Sequence, residues 1–304
     1  STDNSLQICK EYAERDVRIR LISKENEGVA IARNVGLDMA TGEWIMFVDS
    51  DDSVELDICE RLLEIVLKEN ADMAVCKYSL LTEDNDFKML ENHCPNLSKI
   101  VVLEKEQIFN LEKELVARQS KNDEILEMFY GPVCKLIKKN KIGNIRFYKG
   151  LDYGEDTCFI LTLLSTLDKI VCSFARLYIC VERNSSLSRG FDMGFAERIE
   201  RFYLWIKSYY ADKEEFRYSV RRLELQCLIY VAKNYFGVTS TLGIKDARKY
   251  LVRYVNNVGT QYEICQVLKF GFSKQELIIL PAIKCRMYWL IKFFYKLRFK
   301  LKGV

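Results

Sequence analysis

Three aspartates within four residues, Asp49, Asp51 and Asp52, follow the apolar run Trp44-Ile45-Met46-Phe47-Val48. Carboxylates this close repel one another unless a cation offsets them. Mg²⁺ or Mn²⁺ shared with a diphosphate is the usual solution, because such ions are held through one or two carboxylates plus substrate phosphates. A second acidic pair, Glu155-Asp156, stands just ahead of the apolar stretch 158–167. Both clusters have a plainer reading as acidic first turns of helices, where negative charge complements the helix dipole. An EF-hand reading of Asp49, Asp51, Ser53 and Glu60 fails at Val54, where the sharp turn needs Gly. A phosphatase with Asp49 as nucleophile stays open, although such sites resemble Asp-x-Asp-Gly-Thr and Asp52-Ser53 stands in place of Gly-Thr.

Little else in the chain can carry the reaction. His93 is the single histidine among 304 residues and lies in the polar stretch Glu91-Asn92-His93-Cys94-Pro95, which leaves acid–base work to carboxylates, Lys, Arg or Tyr. Eleven cysteines, odd in number and without a C-x-x-C, speak against a disulfide framework and a zinc site and fit a reducing cytoplasm. The 46 basic and 43 acidic residues nearly cancel, to +3, so no global field draws the protein onto nucleic acid. No uncharged apolar run reaches the roughly 18 residues of a membrane span, and none is expected. A chain of this length, 49% hydrophobic, makes one large domain or two smaller ones.

The elements that must position these residues read as α/β. Apolar residues at helical spacing from Ser5 are followed by an apolar/Arg alternation over 17–22 that predicts a strand. Gly28 opens a helix with an expected buried stripe of Val29, Ala32, Val35, Gly36 and Met39, closed by Gly42. The run 43–48 predicts a strand covered on both faces. A helix over 55–69 follows, with Leu56, Cys59, Leu63, Val66 and Leu67 on one side, then a strand over 72–78. Alternation of this kind implies a largely parallel sheet. The pattern dissolves between 80 and 103, helical spacing returns over 104–118 and 133–139, a helix is expected over 158–167, and strand-like runs occupy 169–174 and 176–181. From Met193 onward the periods are helical.

The stretch from Lys24-Glu25-Asn26-Glu27-Gly28 through Ala32-Arg33-Asn34-Val35-Gly36 to Asp49-Ser50-Asp51-Asp52 resembles the family 2 glycosyltransferases of GT-A fold, in which a Gly-x-x-x-A-R-N-x-G helix precedes a strand ending in a DxD-type motif. Ser1-Thr2-Asp3-Asn4-Ser5 is similar to the tail of the family's D-D-G-S-x-D-x-S segment. Gly154-Glu155-Asp156-Thr157-Cys158-Phe159 matches its E-D-x-x-F motif, Lys135-Leu136 resembles its K-L, and Tyr178, Arg183 and Ser186 resemble its Y-x-x-x-x-R-x-x-S close. The likeness covers about residues 1–187.

The resemblance implies a Rossmann-like mixed sheet flanked by helices over 1–190, while the helical periods predict an extension over 191–284 and the composition a basic amphipathic tail over 285–304. The resemblance further implies a metal, Mn²⁺ or Mg²⁺, at Asp51 with Asp49 and Asp52 assisting, and a nucleotide-diphospho-sugar donor, UDP-sugar first, contacted by Arg33, Gly28 and Asp49. It assigns the base to Asp156, with Glu155 orienting the acceptor, and hence inversion at the anomeric carbon. Without Q-x-x-R-W, transfer of one sugar to a saccharide or lipid-linked acceptor in cell-surface polysaccharide or glycolipid synthesis is expected. By comparison with the family the chain is expected to be N-terminally truncated, lacking about 40 residues of the mononucleotide-binding half. This opens the alternative of a catalytically silent fragment that binds a membrane or a partner. The tail holds six basic residues, Arg286, Lys292, Lys296, Arg298, Lys300 and Lys302, interleaved with aromatics and free of acidic ones, which fits peripheral contact with the inner face of a membrane.

Overall fold

The computed structural model describes residues 3–82, 99–118, 124–182, 190–261, 272–273 and 276–301. His93, Arg183, Ser186 and most of the expected irregular stretch 80–103 lie outside the described residues. The chain divides into two compact units, Ser1–Ala40 and Thr41–Val304.

The first unit holds helices α1 (Ser5–Arg15) and α2 (Val29–Met39). Residues 17–22 form no strand, and Val17, Ile19, Leu21 and Ile22 are all exposed. Alternation supplies a face, but a strand exists only where a neighbour takes up its backbone N–H and C=O groups. On α2 the buried residues are Ala30 and Leu37, with Arg33, Asn34 and Val35 half-buried, so the stripe is turned away from Val29, Ala32 and Gly36. Four consecutive apolar residues, Val29 to Ala32, leave the phase of the stripe undetermined by composition. The helix ends in an extended Ala40, before Gly42.

In the second unit, six strands form one sheet among the described residues: β1 (Trp44–Met46), β2 (Ser53–Val54), β3 (Met73–Thr82), β4 (Ile100–Glu104), β5 (Lys135–Lys138) and β6 (Lys169–Glu182). The order is β1-β5-β3-β6-β2, with β4 also on β6. The sheet is mixed rather than largely parallel. Only β3 and β6 pair in parallel, while β5 inserts between β1 and β3 antiparallel to both. The segment 133–139 had the spacing of a helix, but Leu136 and Ile137 are both buried, as befits a strand covered on both faces. Conversely β1 is only half-buried, because β5 is its one ladder partner among the described residues and edge strands are less covered. The two runs expected at 169–174 and 176–181 are one strand with a register shift opposite 75–78.

The helices of this unit are α3 (Ile58–Lys68), α4 (Lys105–Ala117), the short α5 (Glu124–Glu127) and α6 (Lys139–Ile142), α7 (Glu155–Leu164), α8 (Phe195–Tyr209), α9 (Arg217–Phe236), α10 (Ile244–Val258), α11 (Glu276–Lys284) and α12 (Tyr288–Leu301). Helix α3 covers the sheet through Ile58, Leu62, Ile65 and Val66, packed with Ala74 and Val171, whereas Leu56 and Leu67 of the expected face point to solvent. Each such fully buried Leu or Ile contributes about 1.5–3 kcal/mol. Helix α4 joins the sheet to the C-terminal helices. Phe109 meets Phe216 edge-to-face at 5.4 Å, the Tyr210 hydroxyl donates to Glu112 Oε1 at 2.7 Å, and Arg222 donates to the carbonyls of Ala117 and Arg118 at the helix end.

Candidate active site

Strand β1 delivers the first acidic cluster. Beyond Met46 the backbone of Phe47 bridges Val133, and two residues later Asp49 begins a tight turn closed by a hydrogen bond from Asp52 N to Asp49 O, 3.1 Å. The turn leads straight into β2, where Val54 pairs with Tyr178 of β6. Tyr178 is fully buried and its hydroxyl fastens the turn: it accepts from Asp49 N–H at 3.0 Å and donates to Asp52 Oδ2 at 2.8 Å. Asp52 Oδ1 accepts from Val181 N–H at 3.1 Å. Burial and the bond to Asp52 push the Tyr178 hydroxyl well above its ordinary pKa, so it stays protonated and donating. Asp51 stands exposed at the tip of the turn, and Asp49 and Asp52 are half-buried.

The second cluster opens α7. Gly154 caps the helix at φ 76°, a left-handed conformation that side chains avoid, and a Cβ there would run into the Phe202 ring. Glu155 and Asp156 occupy the first turn, three residues earlier than the expected helix start. Asp156 Oδ1 accepts from Thr157 N–H at 2.6 Å, and Oδ2 lies 3.6 Å from where Gly131 would carry a Cβ. The guanidinium of Arg118 closes the other side. It lies 3.4 Å from Thr157 Oγ1 and over the rings of Tyr153 and Phe202, at 5.9 and 5.1 Å, within electrostatic reach of Asp156. Its buried Nε has no partner among the described residues. Lys135, the first residue of β5, is buried with its ammonium donating to the carbonyls of Met128 at 2.7 Å and Val133 at 3.0 Å, on either side of Gly131, and burial pushes its pKa down to about 8.

An aromatic knot joins the two clusters. Phe47 meets Phe147 and Phe159 edge-to-face at 5.4 and 5.8 Å, and Phe147 stacks on Phe159 at 4.1 Å. Asp49 lies two residues beyond Phe47, and Asp156 less than one helical turn before Phe159. Both acidic groups therefore grow from the same packed point at the carboxyl end of β1, the end at which open α/β sheets take ligands. Gly28 and Arg33 belong to the first unit. Gly28 sits at φ 90° ahead of α2 with its N–H on Asn26 Oδ1 at 3.1 Å, and Arg33 is half-buried on that helix.

Among the described residues no group of three or more His, Cys, Asp or Glu is arranged to hold a metal by itself. The donor set fits an ion held in the other way, through one or two hard carboxylate oxygens at Asp49 and Asp51 completed by phosphate and water. Asp52 has an oxygen on each of two structural hydrogen bonds and keeps the turn in shape. Arg118 had no signal in the sequence, since only the fold brings residue 118 beside residue 156. Tyr178 was visible as part of a motif but not as the anchor of the acidic turn.

These features define a GT-A type α/β fold with a helical C-terminal part. Residues 1–143 match the family model for glycosyl transferase family 2. The chain is 32% identical over 207 residues to the glycosyltransferase GlyG of Streptococcus pneumoniae, an alignment covering 66% of this chain and 64% of that protein. It is 26% identical over 315 residues to the uncharacterised glycosyltransferase EpsJ of Bacillus subtilis, across 99% of this chain and 86% of the relative. The fold is similar to that of TarS 1–349 of Staphylococcus aureus, solved with UDP-GlcNAc, with a TM-score of 0.63 at 16% identity over 97% of this chain and 79% of that one.

Proposed function

We propose that this protein is an inverting, metal-dependent glycosyltransferase that moves one sugar from a nucleotide-diphospho-sugar to a hydroxyl acceptor of a cell-surface polysaccharide or glycolipid. The observation that carries the reading is the common anchoring of the Asp49–Asp52 turn and Asp156 on the Phe47–Phe159 knot, in a chain whose residues 1–143 match the family model. The UDP-GlcNAc bound by TarS supports a UDP-sugar as donor. Transfer breaks the bond between the anomeric carbon and the diphosphate oxygen, which leaves with the electron pair, while the acceptor oxygen bonds to that carbon from the opposite face. Asp156 takes the acceptor's proton. Its Oδ1 is fixed by Thr157 N–H, which leaves Oδ2, on the Gly131 side, to receive it. Glu155, adjoining it at the helix start, orients the acceptor. Asp49 and Asp51 hold Mn²⁺ or Mg²⁺, which when bound supplies positive charge where the leaving diphosphate develops negative charge. Gly28 and Arg33 contact the nucleotide. Residues 1–190 carry this chemistry, and the helices beyond buttress α4. The exposed free thiols of Cys9, Cys59 and Cys285 fit a reducing cytoplasm, where donor sugars are held.

The test is donor turnover by the full chain with Mn²⁺ or Mg²⁺. Asp156→Asn is expected to lower kcat about 10²–10⁴-fold with UDP binding retained, and Asp51→Asn to abolish the response to the metal. Unchanged turnover in both variants, with wild-type thermal unfolding, would remove the assignment.

A further inference from the structure

Helix α12 buries one side and leaves the other in water. Tyr288, Ile291 and Tyr295, at spacings of three and four, are 9%, 1% and 7% exposed and face the molecule, where α12 packs on α9, α10 and α11. On the opposite side Trp289, Phe293 and Leu297 recur every fourth residue and are 60%, 56% and 45% exposed. Side chains four apart stand one above the other on a helix, so these three form a continuous apolar row about 12 Å long at 1.5 Å per residue. Half-buried Leu290 and Phe294 widen it along one edge. A row of this kind on an otherwise charged surface marks a contact site.

The charges around the row decide what it meets. No Asp or Glu occurs between residues 277 and 304. Arg286 and Lys296 are exposed beside the row, and Lys292 and Arg298 lie half-buried on its flanks. The neighbouring α10 adds Lys245 and Arg248, which line a surface concavity of about 540 Å³ together with Lys249 and Arg253, the last two paired with Asp246 at 3.0 Å and Glu197 at 3.3 Å. The two helices are tied together by the Arg248 guanidinium over the Tyr288 ring at 5.5 Å and by Lys292 Nζ donating to Leu242 O at 3.0 Å. The net charge of the whole chain is only +3, so this is a local concentration. A second copy of the chain placed on the same face would bring cations against cations, because a two-fold interface sets a patch against itself. An anionic bilayer, apolar beneath and negative at its surface, complements both features. Among the described residues no helix is long and apolar enough to cross a membrane, and α12, at 14 residues, suits lying in the interface.

We propose that the outward face of α12 docks the protein on an anionic lipid bilayer, with Trp289, Phe293 and Leu297 entering the headgroup–acyl boundary and the basic residues of α12 and α10 resting on the lipid phosphates. The site is separate from the transfer chemistry, and its test does not depend on turnover. The full chain is sedimented with phosphatidylcholine vesicles and with vesicles containing phosphatidylglycerol, at low and high salt. Binding about tenfold stronger to the anionic vesicles, weakened by salt, is expected. Trp289→Glu with Phe293→Glu should reduce it to the level of the neutral vesicles. Arg286→Gln with Lys296→Gln, which keeps the apolar row, should weaken binding and flatten its salt dependence. The substituted side chains are exposed, so thermal unfolding should match the wild type and shows that loss of binding is not loss of fold. Equal recovery of wild type and the double-Glu variant on anionic vesicles overturns the proposal. So does a wild-type dimer, seen by light scattering, that the double-Glu change converts to monomer, since a second copy would then cover the row.

Discussion

The hydroxyl of Tyr178 accepts from Asp49 N–H and donates to Asp52 Oδ2, so one buried side chain fixes both ends of the acidic turn. Tyr178→Phe leaves an N–H and a carboxylate oxygen without that partner, a loss of about 1–3 kcal/mol. If Asp49 and Asp51 hold the cation, the expected outcome is a higher Mn²⁺ or Mg²⁺ concentration for half-maximal rate, with a smaller change in kcat, read by metal titration of turnover. Lys135 gives a stability prediction independent of any ligand. Burial lowers its pKa from 10.5 to about 8. Between these values the unfolded chain binds more protons than the folded one, so stability rises with pH across that window and is lower below it, where the buried amine is charged. The full rise is about 3 kcal/mol. Denaturant unfolding between about pH 7.5 and 10.5, the window set by that shift, should show this rise in the wild type and lose it in Lys135→Met. At this scale the sequence disclosed the aspartates through their spacing and the family motifs, but not Arg118, whose relation to Asp156 exists only after α4 and α7 have packed.

Helix α7 shows how an element sets a functional group. Its cap, Gly154, is left-handed and pressed against Phe202 of α8, so the first turn that carries Glu155 and Asp156 starts where it does because no side chain fits there. Gly154→Ala adds both backbone strain and a clash, and should cost about 1–3 kcal/mol. The measurement is thermal unfolding alongside turnover, with lower Tm and kcat expected together, since Asp156 lies two residues on. Elements with strong boundary signals were legible: α2 after Gly28, the strand ending at the aspartates, and the apolar core of α7. The misread elements share a cause. Residues 17–22 have a strand's alternation without a ladder, and 133–139 are too few to separate a helical period from a strand covered on both faces. Around α3 the apolar residues cover enough of the circumference that Leu67 fell in the expected stripe and outside the buried one, and Leu56 lies in the turn ahead of the helix.

Across the whole molecule, the alternation of helices and strands disclosed the α/β class, while the neighbour of each strand did not follow from it. A helix between two strands implies a parallel pair only if no later strand inserts between them, and β5 does so between β1 and β3. The helical character beyond residue 193 was legible from its periods. Its union with α4, through Phe216, Tyr210 and Arg222, was not, because pairs about a hundred residues apart leave no local trace. The same long reach governs the acidic turn. Asp49 and Asp52 are held by Tyr178 and Val181, between 126 and 129 residues further along. A ribosome releases the aspartates long before it makes the strand that gives them their geometry, and pairing of such high contact order is slow. The nascent polypeptide thus carries this acidic turn without its tyrosine anchor until β6 emerges, and any affinity for cations that depends on that geometry must wait for the pairing of β2 with β6.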